Sequence, residues 1–103
     1  MTETIENGVY TCKDGDRVLL TITELGNNTY RAVNMSFVIT AEVEPIDDYT
    51  TRLTCLEHKR RGKDGIYRST TKLMEHNLRW LDWILEEKGF IRRRYKNLDG
   101  GLH

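Results

Sequence analysis

Lys72-Leu73-Met74-Glu75-His76-Asn77-Leu78-Arg79-Trp80-Leu81-Asp82-Trp83-Ile84-Leu85-Glu86-Glu87-Lys88 is the only long run in the chain with a helical period. At 100° per residue, Leu73, Met74, Leu78, Trp80, Leu81, Ile84 and Leu85 fall within an arc of roughly 160°, wide enough for a core-facing stripe. Glu75, Arg79, Asp82 and Glu86 fall opposite, and Glu75–Arg79 has the acid-first i,i+4 order that favours a surface pair. The spacing predicts one helix over about 71–88, capped at its start by Ser69, Thr70 or Thr71. Gly89 suits the left-handed C′ position, with Phe90 reaching back to Leu85 in a Schellman motif. Asn77 intrudes into the apolar arc and is expected to bond a backbone group of the sheet beneath. Trp83 sits off the arc beside His76 and Glu87. It lies either under a loop or in solvent as an interface anchor.

The chain before this helix reads as short strands. Val9–Lys13 and Arg17–Thr23 flank Asp14-Gly15, a hairpin signal of type I′. Val18, Leu20 and Ile22 are expected to share one face. Thr29–Val33 and Phe37–Val43 follow, the second ending at Pro45, the single proline, which cannot donate to a ladder. Thr51–Glu57 and Ile66–Ser69 are joined through Arg60-Arg61-Gly62-Lys63-Asp64-Gly65, a turn at a hairpin tip. Phe90–Lys96 reads as a last, arginine-rich edge strand. The expected fold is therefore α+β. It is an antiparallel meander of five to seven short strands packed by one C-terminal helix at about 71–88, with curling into a small barrel as the alternative. Residues 1–103 form one domain, with 1–7 and 97–103 as flexible ends.

Charged residues make up 31% and hydrophobic residues 38%, polar for a globular domain, but the periodic patterns argue against disorder. No apolar run reaches transmembrane length and the N-terminus has no apolar signal segment, so a cytoplasmic protein off the membrane is expected. Two cysteines, Cys12 and Cys55, make no disulfide framework. Cys55 and His58 have a ligand-like spacing, yet only Cys12, His76 and His103 remain to complete a zinc site. No metal or other cofactor is expected. GxxxxGK[ST], GxGxxG and HExxH are absent, and neither His58 nor His76 has an evident nucleophile or orienting group. Catalysis is not expected.

The net charge of zero hides an asymmetry. Residues 1–50 hold three basic against nine acidic residues, net −6, and residues 51–103 hold thirteen against seven, net +6. Two basic clusters stand out: Lys59, Arg60, Arg61 and Lys63 on the hairpin tip, and Arg92, Arg93, Arg94, Tyr95 and Lys96 after the helix. Lysine and arginine displace counterions from a phosphate backbone, and Tyr95 or Tyr67 could stack on a base. The first functional expectation is a non-enzymatic protein acting on nucleic acid or a nucleic-acid-processing complex, a reading that gains weight where the two clusters meet in space. The alternative is a protein-binding inhibitor, immunity protein or adaptor. It would work through an acidic rim gathered from Asp14, Asp16, Glu24, Glu42, Glu44, Asp47 and Asp48, or through Trp83. Small phage and bacterial inhibitors share this short, cofactor-free sheet-plus-helix format, a likeness of fold alone. Either a monomer or a homodimer fits this sequence.

Overall fold

The computed structural model describes residues 1–92. Seven antiparallel strands form one sheet in sequence order: β1 (Thr2–Glu6), β2 (Val9–Asp14), β3 (Arg17–Gly26), β4 (Thr29–Asn34), β5 (Phe37–Pro45), β6 (Thr51–Arg61) and β7 (Tyr67–Ser69). One helix, α1 (Met74–Glu87), follows. The expected meander and helix are both present, and the sheet does not close into a barrel: β1 and β7 remain its two edges.

β1 corrects the expectation of a frayed arm at 1–7. It pairs with β2 from Thr2↔Lys13 to Glu6↔Val9, through a turn in which Asn7 and Gly8 both have positive φ. Asn-Gly is the strongest short hairpin signal. In the next hairpin Asp14 pairs with Arg17, and only Gly15 of the two central residues has positive φ. That is type II′ geometry rather than the expected type I′.

Register builds the core. Tyr10, Ile22, Ala32, Ile39 and His58 stand opposite one another in a single row across β2 to β6. Tyr30, Ala41 and Cys55 form the next row on the same face. Leu78, Leu81, Ile84 and Leu85 of α1 close over this face. Fully burying a leucine or isoleucine stabilises by about 1.5–3 kcal/mol. Three register shifts interrupt the alternation. The first leaves Leu19 without an opposite residue and turns Val18 away from Leu20 and Ile22, against the expected grouping. The other two leave Leu25 and Leu56 unopposed, and both are exposed.

α1 begins at Met74, later than expected. Leu73 is the N-cap residue, in the left-handed conformation at φ 62°, with no side-chain cap. Its carbonyl accepts the first helical hydrogen bond, from the Asn77 amide. Thr70 turns the approach instead, its Oγ1 accepting from the Lys72 amide at 3.1 Å. That backbone conformation throws Leu73 out of the apolar stripe and leaves it 51% exposed. Among the described residues Glu75 and Arg79 form no ion pair, unlike the expected surface pair. The helix end is as expected: Gly89 has φ 84°, its amide donates to Glu86 O, and the Phe90 amide donates to Leu85 O at 2.8 Å. Phe90–Arg92 are not in a strand, against the edge strand expected from Phe90. The remainder of that expected strand and the expected flexible tail at 97–103 lie outside the described residues.

Two polar contacts fasten α1 across the open sheet. Asn77 Nδ2 donates to His58 Nε2 of β6 at 2.9 Å, and His58 Nδ1 donates to Thr70 O at 2.7 Å. Asn77 thus meets a side chain rather than the backbone group expected. At the other edge Lys88 Nζ donates to Glu3 Oε1 of β1 at 2.8 Å, and Tyr10 OH donates to the same oxygen. The Lys88 ammonium also lies 5.1 Å from the Tyr10 ring centroid.

Candidate interaction surface

A meander sends alternate turns to opposite ends of its sheet. The Asn7–Gly8 turn, the Asn27–Asn28 turn and the β5–β6 loop lie at one end, where the Glu24 amide donates to Gly8 O and the Val43 amide donates to Asn28 O. The Gly15–Asp16, Met35–Ser36 and Gly62–Ile66 turns lie at the other. Acidic residues flank the first set of turns: Glu6, Glu24, Glu42, Glu44, Asp47 and Asp48. Of the expected rim, Glu24, Glu42, Glu44, Asp47 and Asp48 share one end of the molecule, joined there by Glu6, whereas Asp14 and Asp16 go to the other, so the rim forms only in part.

The β5–β6 loop is built by its own acid. Asp47 Oδ1 accepts from the Tyr49 and Thr50 amides, each at 2.8 Å, and the Ile46 amide donates to Thr50 O at 2.9 Å. The Tyr49 amide, as the chief cause, holds the Asp47 carboxyl below the ordinary aspartate range. This tight turn presents Ile46 and Tyr49 outward, Tyr49 being 68% exposed. Behind the loop lies a cleft of about 480 Å³, lined by Tyr30, Val43, Ile46, Asp48, Phe90 and Arg92 among others. Tyr30 and Phe90 meet edge to face there, with ring centroids 6.0 Å apart. Glu44 is partly neutralised by Arg52 at 3.7 Å.

The basic clusters fare differently. Lys59, Arg60 and Arg61 are the last residues of β6, so strand alternation splits them. Lys59 is drawn to Glu57 at 3.5 Å. Arg60 stands opposite Arg68, which Asp64 holds in a two-pronged pair at 3.1 and 2.7 Å. Tyr67 is half-buried, and its hydroxyl donates to Asn34 O at 2.6 Å, which fixes the ring against β4. Arg92 lines the cleft at the acidic end beside Thr51, while Lys59–Arg61 end β6 at the far side. Eight residues of strand separate the two positions, about 25 Å at the usual rise. Arg93, Arg94, Tyr95 and Lys96 lie outside the described residues.

Trp83 is 55% exposed, and no loop of the described residues covers it. Cys55, His58 and Asn77 lie near one another but are not arranged for nucleophilic chemistry. Both His58 nitrogens are engaged, so the imidazole has none left to take a proton from a thiol. Burial pushes the Cys55 thiol up, away from thiolate character, and the thiol donates to Glu57 O at 3.5 Å. Sequence reasoning missed Ile46 and Tyr49. The available signal was two large side chains bracketing Asp47-Asp48 in a loop entered by proline. No protein-family model, curated protein or solved structure matches the chain.

Proposed function

We infer that the chain is a non-enzymatic protein-binding module whose acidic end docks on a basic surface of a partner protein. The carrying observation is the gathering of Glu6, Glu24, Glu42, Glu44, Asp47 and Asp48 at the end that also exposes Ile46 and Tyr49 beside a cleft. Acids steer the encounter and exclude acidic partners. A tyrosine on a turn tied by the hydrogen bonds of the Ile46, Tyr49 and Thr50 amides supplies contact area at little entropic cost, the usual make-up of a binding hot spot.

The nucleic-acid reading keeps one supporting observation. Arg60, Arg61 and Lys63 have no ion-pair partner among the described residues. Three phosphate contacts correspond to a slope of only about −3 in log affinity against log salt.

One capture experiment separates the two readings. Wild type, D47K/D48K, Y49A and R60E/R61E/K63E are used as baits against cell lysate, with and without nuclease. The protein-binding reading expects a stoichiometric protein partner that survives nuclease, is lost with D47K/D48K and Y49A, and is retained by the triple variant. A species lost only with the triple variant and with nuclease would overturn it in favour of nucleic acid.

A further inference from the structure

We propose that α1 is a self-association surface, through which two copies of this chain pack helix against helix, antiparallel, about a two-fold axis at Trp83. The proposal is independent of the acidic end and uses a different face.

Trp83 is the starting point. An indole is ordinarily among the better buried side chains, and here it stands half in water toward the C-terminal half of a 14-residue helix. Its neighbours on the i±4 ridge are Arg79 and Glu87, both exposed. Neither has a side-chain partner among the described residues. The ridge therefore reads cation, indole, anion, with the charges about 6 Å along the axis on either side of the ring.

That order is complementary to its own reverse. In a two-fold contact, residue i meets residue j of the partner and j meets i. An antiparallel crossing centred on Trp83 puts Arg79 against Glu87 of the partner subunit and the reverse pair on the far side of the axis. A parallel crossing would set like charges together. A foreign helix would need the same three side chains in inverted order, which this chain already carries. The base of the ridge is firm, since Trp80 packs edge-on against Phe37 at 5.3 Å. No rearrangement is needed to present it.

The contact is small. A 14-residue helix spans about 21 Å, and one helix pair buries less than the roughly 1,200 Å² of a standard interface. The dimer is accordingly weak, with Kd on the order of tens of micromolar.

The test is sedimentation equilibrium of the full chain at concentrations from well below to well above that range. The mass should rise toward that of two chains. Trp83→Ala should hold it at one chain. R79E and E87R singly should weaken association at least tenfold, because each puts like charges together twice, and the R79E/E87R double swap should restore it. Circular dichroism confirms that these surface variants keep the fold. A single-chain mass at every concentration would overturn the proposal. So would a double swap weaker than either single, or association lost with D47K/D48K and kept in W83A. Loss of lysate partners from W83A with a mass that never rises would assign this face to a foreign protein and also overturn it.

Discussion

At the scale of the residue, two polar clusters carry the clearest consequences. Asn77→Ala would leave His58 Nε2 buried with no donor, since the ring's other nitrogen is committed to Thr70 O. An orphaned buried acceptor costs about 1–3 kcal/mol. Urea unfolding should show a lower midpoint with an unchanged slope, because the surface exposed on unfolding is the same. In the second cluster, burial first and the Glu3 carboxylate next push the Tyr10 hydroxyl up to about 12. A group whose folded pKa is raised contributes stability that is complete below its unfolded value, about 10, and is lost as pH rises toward 12. Wild type should thus lose stability across that window, and Tyr10→Phe should be flatter there. Glu3 works in the opposite direction: the hydrogen bond from Lys88, then that from Tyr10, holds its carboxyl below the usual glutamate range. Its contribution is present above that range and fades as acid protonates it. The sequence exposed Asn77 as an anomaly but not its partner. Periodicity marks a misplaced polar side chain, whereas the residue opposite it depends on the Ile39↔His58 register, which a bulge at Leu56, two residues earlier in β6, helps to set.

At the scale of the element, the helix end is the part of the chain that local rules specify best. Gly89→Ala forces a Cβ into φ 84° with nothing nearby to compensate, and should cost about 1 kcal/mol by thermal or urea unfolding. The start of α1 was less legible, because the three hydroxyl residues before it offered caps and none was used; a strained leucine took the position. Strands 2 to 6 were readable from alternation and turn residues. β1 was not read, although Asn7-Gly8 announces it, because acidic and terminal residues argue for an unpaired arm. Bulges escaped altogether: an extra residue leaves the composition of a strand intact and changes only which side chains share a face. Val18, Leu25 and Leu56 reach solvent for that reason.

At the scale of the whole molecule, the sum of charges over each half of the sequence turned out to be the wrong unit. A meander sorts residues by turn parity, so acids from positions 6 to 48 share one end, while Asp14 and Asp16, from the same half, go to the other. The same rule places Arg92 with the acids, away from Lys59–Lys63. The function inferred above accordingly depends on geometry that strand order supplies and composition hides. Reversing Asp47 and Asp48 should act at one pole of the molecule, lowering thermal stability modestly through the lost Asp47 turn and slowing association with a basic partner most at low salt.

The helix that fastens both sides of the open sheet is also the last of the described elements to be synthesised. At about 5–20 residues per second, all seven strands are made about one to four seconds before Lys88. For that interval the ribbon has bare flanks and an uncovered apolar row from Tyr10 to Ile39. The nascent chain is therefore most in need of a chaperone just before its final turn emerges, and a premature stop ahead of Met74 would leave a sticky, unguarded ribbon rather than a smaller working protein.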